Sequence, residues 1–175
     1  MNRKINLTDL GYDDFFESEK LELGLTKYPV ARVIAEYKEA YRVKNADGEY
    51  LARITGKQMF EAQKREDYPA VGDWVAIDNL PDNKAVIRAT LPRRTVLKKQ
   101  YSNKQDAQVI ATNIDIAFIV ESLDRDYNLN RFERFLVLVN EGRIKPTIVL
   151  NKTDLIPKIE LENRINQIKN RFTDI

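Results

Sequence analysis

Residues 146–155 read Pro-Thr-Ile-Val-Leu-Asn-Lys-Thr-Asp-Leu. An apolar, β-branched run closes abruptly on the polar Asn151-Lys152-Thr153-Asp154, as a buried strand does where its carboxyl end opens into a loop. Beyond it, Leu161, Ile165, Ile168 and Phe172 recur at helical spacing. Ahead of it, Leu129, Phe132, Phe135, Leu136 and Val139 mark another helix, with Asn128 placed as its N-cap and Gly142 where a C-terminal cap belongs. Before that helix, Ile116-Ala117-Phe118-Ile119-Val120 is apolar throughout, which predicts a strand buried on both faces. The order strand, helix, strand, helix predicts a parallel sheet of α/β type.

The position of Asn151-Lys152-Thr153-Asp154 matters because open α/β sheets place their ligands at the carboxyl ends of the strands. Guanine presents a ring N-H and an exocyclic amino group side by side, and one carboxylate, that of Asp154, can accept both. Adenine offers an acceptor at the ring position and repels a carboxylate. A paired, partly desolvated contact of this kind discriminates strongly, since the wrong base leaves the charge unpaired. Asn151 can serve the acceptor side of the base or tie the loop together, and the aliphatic stem of Lys152 can cover a ring face. The plainer alternative is a strand-to-helix loop in which Asp154 caps the helix.

A phosphate cradle of the form Gly-x-x-x-x-Gly-Lys-Ser/Thr does not occur, and the only Gly-Lys pair, Gly56-Lys57, is followed by Gln58. No Asp-x-x-Gly occurs either. What lies upstream of the guanine-type motif is a β pattern. From Tyr28 the residues alternate, with Ala31, Val33, Ala35 and Tyr37 on one side and Arg32, Ile34, Glu36 and Lys38 on the other. Strands follow over 40–44 and 49–55 across an Asn45-Ala46-Asp47-Gly48 turn, then over 73–78 and 85–90 across Pro81-Asp82-Asn83. Residues 56–70 read as a helix or a long loop. Five short strands with the long insertion between the third and fourth fit the OB-fold, a small Greek-key barrel.

Charge divides the chain in the same way. Residues 1–25 carry three basic and six acidic residues, residues 26–100 fifteen and ten, and residues 101–175 eleven of each. The expected domains are an N-terminal extension over 1–27 with one amphipathic turn of Leu10, Tyr12, Phe15 and Phe16, a barrel over 28–92, a basic linker over 93–108, and the start of an α/β domain over 109–175. The chain has neither cysteine nor histidine, which excludes disulfides, a soft-metal site and a histidine base. No stretch reaches the apolar length of a membrane span, and the start has no targeting character, so the reading is of a cytoplasmic protein.

The ordered set Val71-Gly72-Asp73-Trp74-Val75, Leu91-Pro92-Arg93-Arg94-Thr95-Val96-Leu97, Asn113-Ile114-Asp115, Tyr127-Asn128-Leu129-Asn130-Arg131-Phe132-Glu133-Arg134-Phe135 and Leu150-Asn151-Lys152-Thr153-Asp154-Leu155 resembles the N-terminal half of the small-ribosomal-subunit-dependent, circularly permuted GTPases, the RsgA or YjeQ-like family. The resemblance implies an OB-fold joined to a GTPase domain whose guanine motif precedes the phosphate loop. It also implies GTP or GDP with magnesium as ligand, small-subunit rRNA as partner, late small-subunit maturation as the process, and a zinc-binding tail absent from these residues. Without the phosphate loop and switch motifs the chain reads as a fragment, inactive in hydrolysis on its own.

Residues 83–105 hold Lys84, Arg88, Arg93, Arg94, Lys98, Lys99 and Lys104 and no acid. Charge alone favours a solvated linker, and the family resemblance reverses the reading toward rRNA held by Arg93, Arg94, Lys98 and Lys99. The barrel aromatics Tyr37, Tyr41, Tyr50 and Phe60 are candidates to stack on bases, Tyr41 and Phe60 foremost, with half or more of the four expected in the core, and Trp74 is expected in packing. Asp124 and Asp126 read as helix-leading acids rather than a catalytic pair. No membrane or DNA partner is expected. The alternative function is a free-standing RNA-binding adaptor with no nucleotide activity.

Overall fold

The computed structural model describes residues 5–100, 107–124 and 127–172. The chain divides into two compact units, residues 1–113 and 114–175.

In the first unit, β1 (Val30–Glu36), β2 (Tyr41–Lys44), β3 (Glu49–Ile54), β4 (Trp74–Leu80) and β5 (Lys84–Thr90) form a closed barrel in the order β1-β2-β3-β5-β4. All pairs are antiparallel except β3 with β5. This is the OB arrangement, and closure removes the free sheet edges. The period-two pattern does the sorting: Ala31, Val33, Tyr41, Val43, Ala52, Val75, Ile77, Ala85 and Ile87 fill the interior. Residues 56–70 resolve into a short helix, α2 (Gly56–Glu61), and a 3-10 turn at Arg65–Asp67. Thr55 caps α2 through a reciprocal capping box with Gln58.

The acidic N-terminal segment is part of this unit. Asp13 caps α1 (Asp14–Glu22) by accepting from the Phe15 N-H at 3.2 Å. Tyr12 and Phe16 form a second core with Val30, Trp74 and Leu91. Tyr12 meets the Trp74 ring edge-on at 4.8 Å between centroids. Trp74 is packing, as expected, at the start of a strand whose first four residues are all buried.

The stretch expected as a basic linker is a hairpin instead: β6 (Val96–Gln100) pairs antiparallel with β7 (Ala107–Thr112), with a bulge at Leu97/Lys98. Long-range bonding explains the difference. Gly72, at φ +96°, lets the Thr112 carbonyl approach so closely that a Cβ would lie 2.1 Å from its oxygen. The Thr112 N-H then donates to the Val71 carbonyl at 2.9 Å, and the Asn113 amide donates to the Gly72 carbonyl at 3.0 Å. Lys104 and Asp126 of the sequence reading lie outside the described residues.

In the second unit, β8 (Ile116–Ser122) and β9 (Lys145–Asn151) run parallel, joined through α3 (Leu129–Glu141) and followed by α4 (Lys158–Arg171). Asn128 caps α3 by accepting from the Asn130 N-H at 2.9 Å. Gly142 occupies the C-cap but is right-handed, and Arg143 takes the left-handed turn at φ +57°. Phe132, Leu136 and Val139 of α3 and Ile119 of β8 are buried. The expectation that β8 is covered on both faces is corrected: Ile116, Phe118 and Val120 are exposed, Phe118 by 67%. An apolar run signals burial of both faces only where a second layer exists, and among the described residues none covers that side. No helix of the described residues is long and apolar enough to cross a membrane.

Candidate functional site

The parallel register sets Ser122 beside Asn151, so both strands of the second unit end at one level. The backbone there is stitched together by the Leu123 N-H, which donates to the Asn151 carbonyl at 3.0 Å. Asn151 uses its side-chain oxygen to accept the Lys152 N-H at 2.8 Å, so it ties the loop, one of its two expected roles. Lys152 is left-handed, φ 55° and ψ 39°, and launches the 3-10 turn Thr153–Leu155. All five residues from Asn151 to Leu155 are exposed.

Asp154 caps no helix. The turn that carries it has no side-chain cap, and α4 begins after Pro157, again with no side-chain cap. Its carboxylate accepts no hydrogen bond and joins no ion pair among the described residues. A charged group presented this way at strand ends can accept two donors from a ligand.

Asp124, expected to lead a helix, turns to the loop instead. One carboxylate oxygen accepts the Ser122 hydroxyl at 2.6 Å, and the other meets the Lys152 ammonium at 3.3 Å. The neighbouring Leu123 is fully buried, and its carbonyl accepts from Arg164, which also pairs with Glu160 and lies 4.6 Å over the Tyr127 ring. Burial pushes the Tyr127 hydroxyl pKa upward. Below the strand ends, the buried Glu121 meets Arg131 at 3.1 Å. Sequence spacing gives no sign of the contacts with Arg131, Lys152 and Arg164, which reach Glu121, Asp124 and Leu123 from 10, 28 and 41 positions away.

On the barrel unit three of the four cations expected to meet RNA, Arg93, Arg94 and Lys98, pair with acids. The Arg93 guanidinium grips the fully buried Asp73 at 2.9 and 2.7 Å and also donates to the carbonyls of Glu66 and Tyr68. Arg94 donates to both Asp13 oxygens at 2.7 Å and lies over the rings of Phe15 and Phe16. Lys98 pairs with Glu66 at 2.6 Å, and that bond holds the Glu66 carboxyl below the usual range. Lys99 is exposed on β6 and engaged in an interaction of its own. Tyr41 is corrected to a core residue: its ring, 7% exposed in the barrel interior, has no free face for a base. Phe60 on α2 is 91% exposed and keeps both faces open.

Sequence reasoning passes over Arg42 and Arg53. They stand on the outer faces of β2 and β3 beside the exposed Leu51, Arg42 paired with it in register across the strands and Arg53 two residues further along β3. Neither has an ionic or hydrogen-bond partner among the described residues. Their alternation with inward residues is legible, but which cations stay unpaired depends on where the acids fall in three dimensions.

Residues 90–175 match the family model described as RsgA GTPase. The chain is 40% identical over 163 residues to the small ribosomal subunit biogenesis GTPase RsgA of Opitutus terrae, covering 87% of this chain and 44% of that protein. It is 36% identical over 173 residues to RsgA 1 of Bacteroides thetaiotaomicron, covering 98% of this chain and 48% of that one. Among solved structures, YloQ, described as a circularly permuted GTPase, matches with a TM-score of 0.59 at 25% identity, over 84% of this chain and 48% of that one. YjeQ from Thermotoga maritima shares the fold with a TM-score of 0.62 at 21% identity, over 81% of this chain and 47% of that one. The chain spans about half the length of the curated relatives it matches. With the barrel, the parallel strand pair and the Asn151-Lys152-Thr153-Asp154 loop all in the order the resemblance requires, the chain belongs to the RsgA GTPase family.

Proposed function

We propose that this chain supplies the guanine- and RNA-recognising part of a GTPase that acts in maturation of the small ribosomal subunit, reading guanine through Asn151-Lys152-Thr153-Asp154 and ribosomal RNA through the barrel. The observation that carries the reading is the Asp154 carboxylate, exposed and unpartnered among the described residues at the carboxyl ends of two parallel strands, in a chain of this family. Asp154 accepts the ring N-H and amino group of guanine, Lys152 lays its stem along the base, and Asn151 holds the loop.

The described residues fit the base end of a guanine nucleotide. They include no cluster of three carboxylates able to hold a metal ion. With no glycine-rich phosphate loop in the sequence, no hydrolytic step is assigned to these residues. Zinc finds no cysteine or histidine here. On the barrel, RNA phosphates are met by Arg42 and Arg53 on the outer faces of β2 and β3, the strands by which OB-folds bind oligonucleotides, and a base stacks on Phe60.

The test is nucleotide selectivity of the protein at its natural length. Asp154→Asn replaces a double acceptor by a group that also donates. Charged hydrogen bonds are worth roughly 1.5 to 3 kcal/mol each, so GDP affinity falls at least about tenfold. Xanthosine diphosphate, which carries oxygen where guanine carries its amino group, gains. An unchanged preference between the two nucleotides removes the base-reading role. Absence of GDP binding by the unmutated protein leaves the RNA-binding adaptor as the function.

A further inference from the structure

We infer that Asp124 is a positioning residue for guanine recognition: it holds the Lys152 ammonium so that the lysine stem lies where the base must pack. The inference rests on the reading of Asn151–Asp154 as a guanine-binding loop. Asp124 does not face a base itself and acts through Lys152.

Three observations support the role. Lys152 sits in a left-handed conformation that a side chain with a Cβ adopts at a cost, so its backbone must be held from outside. The holding bonds come from Asn151, whose side chain takes the Lys152 N-H, and from Leu123, whose N-H donates to the Asn151 carbonyl. The backbone is thereby set, but a four-carbon lysine chain on an exposed loop still samples many rotamers.

The carboxylate that limits those rotamers is itself aimed. Ser122 donates its hydroxyl to one Asp124 oxygen at 2.6 Å, and the Lys152 ammonium meets the other at 3.3 Å. The backbone between them is immobilised through Leu123, fully buried and bonded at both its N-H and its carbonyl. Since β8 and β9 are adjacent strands ending at one level, the ion pair draws the half-exposed lysine side chain toward the end of β8. A stem already laid out loses less freedom when the base arrives, which is the usual gain from preorganisation.

The experiment titrates fluorescently labelled GDP and xanthosine diphosphate against the natural-length protein carrying Asp124→Asn, Lys152→Met, both together, or Asp154→Asn. Methionine keeps an apolar stem and removes the ammonium. Asp124→Asn weakens GDP binding by roughly three- to tenfold with the preference for guanine over xanthine retained, the scale of a lost, partly exposed ion pair plus lost stem ordering. In the Lys152→Met background the same change has no further effect, a coupling that a purely structural role of Asp124 does not produce. Should Asp124→Asn unfold the protein, Ser122→Ala, which only releases the aim of the carboxylate, substitutes with an expected loss of roughly two- to threefold. Unchanged GDP affinity, or an equal loss with and without the lysine ammonium, overturns the role of Asp124 while leaving base reading intact. An unchanged preference in Asp154→Asn overturns the base reading, and the role of Asp124 with it.

Discussion

Arg93 clasps Asp73 with two parallel bonds, Nε to Oδ1 at 2.9 Å and Nη2 to Oδ2 at 2.7 Å, and the carboxylate so held is fully buried. Asp73 also accepts from the Ala70 N-H at 2.8 Å and from the Thr112 hydroxyl at 2.6 Å. One carboxylate therefore ties the barrel to β7 and to the turn before β4. Removing one member of a buried ion pair strands the other, at a cost of about 3 to 5 kcal/mol.

Arg93→Ala accordingly lowers the stability of the barrel unit by about 3 kcal/mol, toward the low end because two donors to Asp73 remain. Arg93→Lys recovers less than half of that, since an ammonium cannot make the parallel pair. Urea unfolding followed by the fluorescence of Trp74, the sole tryptophan, measures the loss. A loss under about 1 kcal/mol would place Arg93 back among the cations free to meet a ligand.

Phe16 is almost fully buried, and its ring lies 6.0 Å from that of Trp74. Phe16→Ala opens this second core, with a stability loss of about 3 kcal/mol and a red shift of the Trp74 emission as water reaches the indole. If midpoint and emission both stay where they are, α1 contributes nothing to the barrel's stability.

Burial, and then the charge of Glu36, push the Tyr41 hydroxyl up to about 12 from an ordinary 10.0. A raised phenol pKa means that the fold favours the neutral form. Its contribution is complete below about pH 10 and is lost as pH rises to about 12, a loss on the order of 2 kcal/mol. Tyr41→Phe flattens stability against pH in that window. Some loss persists, because burial and the Glu17 hydrogen bond raise Tyr12 as well. Denaturant midpoints measured from neutral into strongly alkaline solution are the check, and an equal alkaline loss in the variant contradicts the burial argument.

RNA affinity at several salt concentrations separates anchor from platform. Changing Arg42 and Arg53 together to glutamine reduces the log-log salt slope by about 0.7 to 0.9 for each phosphate no longer neutralised. Phe60→Leu lowers affinity with the slope unchanged, since stacking releases no counterions. A double variant with the original slope moves the RNA surface off the outer faces of β2 and β3.

Much of this protein follows from local chemistry. Period-two alternation identifies the five barrel strands, the Asn128 cap and apolar spacing identify α3, and the placement of Asn151–Asp154 after an apolar run locates the loop. Each is a signal carried by near neighbours, which is why it survives in one dimension. Which charges and rings remain available is settled by the folded chain alone. Arg93, Arg94 and Lys98 read as a basic stripe until the fold brings Asp73, Asp13 and Glu66 to them from 20, 81 and 32 residues away. Tyr41 reads as a base platform until barrel closure turns it inward, and Asp124 as a helix-leading acid until parallel pairing sets it beside Lys152, 28 residues on. Ion pairing and burial depend on separation in space, and a sequence does not display distances between residues that folding has yet to bring together.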